Sequence, residues 1–250
     1  MIKNKVSIII PFYKNITLLK KTLSSVYKQD YTNYEIIIIN DNNTQENKSF
    51  LKKLNKNKNK YKIKIIYNKK NLGAGFSRNK GIKAALGQYI AFLDSDDTWK
   101  KNKLSYQLRF MKRKGYLASH TSYNLVNLSG EIISKRKAID LNYRELLNSC
   151  NIGLSTVILN KDILKFTNNF PKLKTKEDYV LWLKLSKKGI IFHSIDKYLT
   201  NWTNVSNSLS ESSFQKIKDA FLVYYKYLNF SILTSILKTL ILSINYIKKK

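Results

Sequence analysis

Four short apolar runs, each closed by polar residues and separated by stretches of helical periodicity, constrain this 250-residue chain more than any other feature. The first is Lys5-Val6-Ser7-Ile8-Ile9-Ile10-Pro11, which lacks strict alternation and stops at proline; such a run reads as a strand buried on both faces. After the loop Phe12-Tyr13-Lys14-Asn15, the residues Leu18, Leu19, Leu23 and Val26 recur at helical spacing. Glu35 to Asp41 is the second run, followed by a Lys/Asn-rich exposed helix or loop over residues 45–60. Lys62 to Tyr67 is the third, and Gly75 to Leu86 reads as a helix. The fourth is Gln88-Tyr89-Ile90-Ala91-Phe92-Leu93, and Asp94-Ser95-Asp96-Asp97 ends it. This order predicts an α/β fold with a mostly parallel central sheet flanked by helices and right-handed crossovers. In such sheets ligands bind outside the carboxyl ends of the strands, where Asn40, Asp41 and Asp94 to Asp97 fall.

The three neighbouring carboxylates admit two uses. Asp97 or Thr98 can cap a helix that begins near Lys100. Capping explains one acid, however, and like charges this close repel unless a cation joins them. The other use is an oxygen site for Mg²⁺ or Mn²⁺ completed by a phosphate-bearing ligand. A dinucleotide fold is not expected: Gly73-Ala74-Gly75-Phe76-Ser77-Arg78 has Arg78 at the third glycine position and follows the third strand, and no P-loop occurs.

Residues 100–114 read as a basic amphipathic helix with Leu104, Leu108 and Met111 as its apolar side. Short strands mixed with a helix near Tyr143 to Asn148 follow. Lys172 to Asp178 leads into a helix over Tyr179 to Leu185, closed by Gly189, and Ile190 to Ile195 is a strand. Thr175-Lys176-Glu177-Asp178 has capping-box spacing, with Asp in the usual Glu/Gln place. His120 and His193 stand alone and read as satisfied or surface histidines. Trp182 suits core packing; Trp202 suits either packing or stacking on a sugar face.

The formal charge is +30, from 46 Lys and Arg against 16 Asp and Glu. Only five of the basic residues are arginine, and Asn and Ile are abundant too. That pattern reads as compositional drift and not as a phosphate-reading surface, where planar Arg is favoured. No nucleic acid partner is expected; an anionic membrane surface is a candidate. Cys150 is the single cysteine, which leaves no disulfide framework and no thiolate zinc cluster. A strand begins almost at the N-terminus, with no room for a signal peptide, so a reducing, cytoplasmic setting is expected.

The chain divides into residues 1–210 and a basic helical tail, 211–250. In the tail Ile232, Leu233, Ile236, Leu237, Leu240, Ile241, Ile244 and Ile247 share one helical face. Thr234, Ser235, Lys238, Thr239 and Asn245 lie opposite, and Lys248-Lys249-Lys250 ends the chain. The apolar stretch is shorter than the ~20 residues of a spanning helix. Two readings stay open: an interfacial helix peripheral to the inner face of the cell membrane, or a helix packed on the domain or a partner subunit.

Taken together, these segments resemble the family 2 glycosyltransferases of GT-A fold, non-processive bacterial type. Val6 to Tyr13 resembles their opening strand, Asn40-Asp41-Asn42 their Asp-Asp-Gly/Asn turn, and Asn71 to Gly81 their N-x-G-x-x-x-A-R-N-x-G stretch. Leu93-Asp94-Ser95-Asp96-Asp97 is similar to their D-x-D motif, and Glu177-Asp178 with Trp182 to their E-D…W element. Asn40 departs from the first acid of the early turn and Ser77 from the usual Ala. The Q-x-x-R-W motif of processive members is absent, which implies transfer of a single sugar. The resemblance implies an inverting transfer of one hexose from a nucleoside diphosphate sugar, UDP preferred, to a saccharide acceptor, lipid-linked, in surface polysaccharide or lipooligosaccharide assembly. It implies Asp178 as catalytic base, Glu177 and Trp202 on the acceptor side, and Asp96 as ligand of Mn²⁺ or Mg²⁺. Pro11, Phe12, Tyr13, Asp41 and Asn71 would line the donor nucleotide, Arg78 would touch base or diphosphate, and Asp94 and Ser95 would hold ribose or metal-bound waters. The alternative class is a non-catalytic basic module docking on anionic membrane or polymer. A nucleotidyltransferase is disfavoured, since the turn after the first strand lacks its Gly-rich loop.

Overall fold

The structure, a computed structural model, describes residues 1–56, 62–167, 170–205 and 213–247. Parts of two expected segments therefore lie outside the described residues: the Lys/Asn-rich stretch beyond residue 56, and residues 211–212 and Lys248 to Lys250 of the basic tail.

A nine-stranded sheet runs through the molecule in the order β3-β2-β1-β4-β8-β6-β9-β5, with β7 beside β6. Its parallel half is β1 (Ile2–Phe12), β2 (Tyr34–Asn40), β3 (Ile63–Tyr67) and β4 (Gly87–Phe92). Ile8 sits between Ile36 on one side and Ala91 on the other. The helices α1 (Ile16–Tyr27), α2 (Gln45–Lys56) and α3 (Ala74–Ala84) connect these strands. The other half begins where β8 (Ile158–Asn160) pairs antiparallel with β4. There β6 (Ala118–Val126) lies antiparallel to β8 and β7 (Ile132–Arg136), and parallel to β9 (His193–Thr203). The two-residue β5 (Thr98–Trp99) closes the far edge. The remaining helices are α4 (Lys103–Lys114), α5 (Tyr143–Leu146), α6 (Glu177–Lys187), α7 (Ser213–Leu222) and α8 (Ile232–Ile247).

Because side chains alternate along a strand, β1 feeds two cores. Ile8, Ile10 and Phe12 pack with α1 and α4 on one face, while Ile9 packs with Ile37, Ile39 and the α3 and α6 side on the other. On that second face α3 lies directly on the strands. A Cβ at Gly81 would stand 2.5 Å from Ile9 Cγ2 and 3.0 Å from Ile39 Cδ1, so only glycine permits this approach. Trp182 is fully buried, with its ring edge-on to Phe170 and Phe192, and so serves the core. The segment from residue 213 onward shares this core: Val223, Tyr224, Leu228 and Leu242 join the cluster that contains α6.

Two expectations change here. β1 extends past Pro11, so Phe12 is at 0 % exposure inside the core and offers no surface to a ligand. The last strand does not end at Ile195 but continues to Thr203, which carries Trp202 on a strand. Its second half has few buried apolar residues; eight pairings with β6 impose the strand that the sequence pattern lacks.

Both histidines are satisfied. His193 Nδ1 lies 3.1 Å from Asp140, and its ring stacks on Tyr116. His120 is buried, with Nε2 2.9 Å from the Ile139 carbonyl. Burial lowers its pKa to about 4 from an ordinary 6.5, with the Ile139 carbonyl and Asp140 opposing. The folded state therefore binds fewer protons than the unfolded one between these values. The contribution of His120 is complete above pH 6.5 and is lost as the pH falls towards 4. Urea titrations at several pH values should show that His120→Gln removes roughly 3 kcal/mol of this acid-side loss. Parallel curves for the two proteins would contradict the assignment.

Candidate active site

Asp94 to Asp97 follow β4 at its carboxyl end, and the fold gives each acid a different environment. Asp97 is structural. Its Oδ1 accepts from the Thr203 N–H at 2.9 Å and its Oδ2 from Ser155 Oγ at 2.5 Å, which ties the end of β4 to β9. Burial first, then the charges of Asp96 and Asp94, push its carboxyl well above the usual range. The capping reading of Asp97 fails: Asn102 precedes α4, and its side chain makes no cap hydrogen bond.

Asp94 is held by Arg78. Arg78 Nη2 donates to Asp94 Oδ1 at 2.7 Å, and Nη1 donates to Glu177 Oε1 at 2.7 Å. Both terminal nitrogens are thus engaged, and the side chain is 5 % exposed. Neither terminal nitrogen is therefore free for the contact with base or diphosphate that the resemblance implies. Burial would lower the guanidinium pKa, but Asp94 and Glu177 more than offset this and keep it charged. One planar fork thereby joins the end of β4 to the start of α6.

Glu177 and Asp178 open α6. The capping box expected from Thr175 does not form. Lys176 precedes the helix at φ 62, and Thr175 donates from both its N–H and Oγ1 to Asp219 Oδ2 at 2.8 Å. Asp178 Oδ1 accepts from the Tyr179 N–H at 2.7 Å; among the described residues, its second oxygen has no hydrogen-bond partner. Burial raises the Asp178 carboxyl, with Arg78 opposing. Burial likewise pushes Glu177 up to about 7 against the pull of Arg78.

Asp96 is half-buried, and among the described residues no Lys, Arg or His forms a salt bridge with it. Burial, then Asp94, push it up to about 6. It also lines a cavity of about 550 Å³ together with Lys20, Lys21 and Ser24 of α1 and the turn at Asn127 to Gly130. Of the residues that the resemblance implies for donor, acceptor or metal, Asp96 alone lines that cavity among the described residues. Among the described residues no group of three or more His, Cys, Asp or Glu is arranged to hold a metal. With Asp97 spent on Ser155 and Thr203, the chain offers Asp96 and the second oxygen of Asp94. That is a sparse, hard-oxygen set whose negative charge Arg78 only partly offsets. It fits a Mg²⁺- or Mn²⁺-like ion that takes most of its shell from water and phosphate.

The expected nucleotide residues are distributed unevenly. Asp41 is buried and spends both oxygens on the protein. Oδ1 accepts from Asn68 Nδ2 and the Leu72 N–H, and Oδ2 accepts from the Gly73 N–H at 2.8 Å. It therefore holds the loop that carries Asn71, whose own Oδ1 also accepts from Gly73. Pro11 and Ser95 are half-buried, and Tyr13 is exposed at the same rim. Trp202 is 42 % exposed with its ring edge-on to Tyr123, one residue from the Thr203 that bonds Asp97. Ser155, Thr203 and Asp219 were not singled out from the sequence. Each acts on a partner 44 or more residues away, and no local pattern announces it.

Comparison with known proteins gives the family and the fold. The sequence model of Glycosyl transferase family 2 matches residues 7–164. A Bacillus subtilis (strain 168) protein provisionally named teichuronic acid biosynthesis glycosyltransferase TuaG is 33 % identical over 224 residues, covering 89 % of this chain and 88 % of its own. The Escherichia coli UDP-Glc:alpha-D-GlcNAc-diphosphoundecaprenol beta-1,3-glucosyltransferase WfgD is 32 % identical over 217 residues, 85 % of this chain and 82 % of its own. Among solved structures, S. aureus TarS residues 1–349 in complex with UDP-GlcNAc superposes with a TM-score of 0.72 at 22 % identity, covering 92 % of this chain and 69 % of that one.

Proposed function

The chain belongs to glycosyl transferase family 2 and has the GT-A fold, and from that premise we propose that it moves one hexose, with inversion, from a UDP-sugar to a lipid-linked saccharide. The observation that carries this reading is the Arg78 fork. It binds Asp94 on the donor side and Glu177 on the acceptor side, and so brings the D-x-D and E-D elements to one place. The donor and acceptor classes are supported by the WfgD name, which pairs UDP-Glc with a diphosphoundecaprenol-linked sugar, and by the UDP-GlcNAc bound to TarS. An acceptor of that kind would be met at the inner face of the cell membrane, in surface polysaccharide assembly.

Asp178 acts as the base. Its free carboxylate oxygen takes the proton of the acceptor hydroxyl as that oxygen attacks the anomeric carbon. The bond from the anomeric carbon to the diphosphate oxygen breaks, and the diphosphate leaves with the electron pair. Burial raises the affinity of Asp178 for a proton, which suits a base. Arg78 holds Glu177 and Asp94 in place, and Glu177 supports the acceptor side together with Trp202. Tyr13 and Pro11 border the base-binding end, with Asp41 and Asn71 shaping the loop beside them. Asp96, with Asp94 and Ser95 adjacent, would hold Mn²⁺ or Mg²⁺. The bound cation supplies positive charge for the leaving diphosphate.

Thermal unfolding with UDP-glucose and Mn²⁺ tests the donor side. Ligand at a hundred times its dissociation constant adds about 2.7 kcal/mol of stability. Wild type should shift upward only when both are present, and Asp96→Asn should lose most of the shift. An equal shift without Mn²⁺ and in the variant would remove the metal role; no shift with any UDP-sugar would remove the donor.

A further inference from the structure

The last helix of the described residues is packed inside out. In an ordinary surface helix the apolar stripe faces the core and the polar face meets water. In α8 the buried residues are Ser235, Thr239 and Leu242, with Ser235 at 0 % exposure. Leu233, Ile236, Leu237, Leu240, Ile244 and Ile247 face outward, with Leu233 at 80 % and Ile247 at 70 % exposure. At roughly 100° per residue these six fall within an arc of about 100°. They form an apolar ridge along a helix about 24 Å long.

The inward packing is specific and not a default. Lys238 Nζ donates to Asn148 Oδ1 and Asn245 Nδ2 to the Asn148 carbonyl, both at 2.9 Å. Ser235, Thr239 and Ser243 each donate to the carbonyl four residues earlier. Their hydroxyls are therefore satisfied within the helix, and their small size lets α8 sit close to the domain. α7, where Lys216 lies over the Tyr246 ring of α8, also leaves apolar residues outside, with Phe214 at 79 % exposure and Ile217 at 53 %. Exposed apolar surface this continuous marks an interaction site.

We propose that the outward face of α7 and α8 lies in the interfacial layer of an anionic lipid bilayer. Charge selects this occupant. From Ser213 onward the chain has seven lysines and a single acid, Asp219, which is buried against Thr175. A second copy would set one chain of +30 against another, whereas anionic headgroups would neutralise that charge. No described helix is long and apolar enough to cross a membrane, so the contact is parallel to the surface. The proposal deepens the reading of a lipid-linked acceptor. The docking helices share a core with α6, and Asp219 of α7 anchors Thr175, two residues before Glu177. A bilayer-bound molecule would thus present its acceptor side at a fixed position above the lipid.

Flotation of the full chain with phosphatidylglycerol/phosphatidylethanolamine vesicles and with phosphatidylcholine vesicles tests this. Wild type should float with the anionic vesicles, more weakly at high salt, and poorly with the neutral ones. Leu237→Glu/Leu240→Glu should reduce binding at least tenfold, with unchanged thermal midpoint and unchanged transfer to a water-soluble acceptor. Undiminished flotation of the variant, or no flotation of wild type, would overturn the proposal. So would a wild-type dimer that the variant dissociates, since the face would then be a contact between copies. Loss of transfer to every acceptor in wild type, with flotation intact, would instead count against the enzymatic reading alone.

Discussion

Asp178→Asn is expected to lower sugar transfer by about 10²–10⁴-fold, the contribution of a positioned general base. The substitution is close to isosteric. The amide oxygen can still accept from the Tyr179 N–H that Oδ1 now accepts from, so the start of α6 should keep its geometry. What disappears is the free oxygen that can take a proton. The expected pattern is a fall in kcat with little change in the thermal midpoint or in stabilisation by the donor. Initial rates with saturating donor and acceptor, measured beside a melting curve, give all three quantities. A variant within threefold of wild type would place the base elsewhere, with Glu177 the next carboxylate to test.

Arg78→Met should have the largest effect on stability. Arg78 is buried between Asp94 and Glu177, and its loss leaves two carboxylates facing each other without a cation. Removing one partner from a buried ionic set costs about 3–5 kcal/mol, or roughly 10 °C in midpoint for a chain of this size. Burial already pushes Glu177 up to about 7 against the pull of Arg78, and without the guanidinium it rises further. The folded state then binds more protons than the unfolded state, so the deficit of the variant should be greatest at alkaline pH and shrink as the pH falls. Arg78→Lys keeps one charge but cannot fork to both acids, so it should restore most of the stability and less of the activity. A midpoint for Arg78→Met within 1 °C of wild type would show that the fork is not what joins the two elements.

The parallel half of the sheet was legible because each strand is a short buried run ending in polar residues. Ile63, Ile36, Ile8 and Ala91 lie side by side across β3, β2, β1 and β4, one residue from each of the four runs. The antiparallel half was not legible. The second half of β9 has little hydrophobic pattern and exists because β6 pairs with it, so the expected strand stopped at Ile195, short of Trp202 and Thr203. The site was legible as a set of residue types at strand and helix ends, but the division of labour within it was not. Asp97 and Asp41 look like ligand acids in the sequence, and both turn inward to hold protein loops.

By itself, the sequence determined the alternation of strand and helix, the placing of acids at the carboxyl ends of the strands, and the amphipathic tail, since these depend on side-chain periodicity within a few residues. Tertiary structure decided which acid stays free, which cation joins Asp94 to Glu177, and which face of the last helix turns outward. Those outcomes depend on partners 16 to 106 residues apart, such as Arg78 with Asp94 and Asp97 with Thr203. At that separation only the packed core brings the groups within hydrogen-bonding reach, and no local pattern records it.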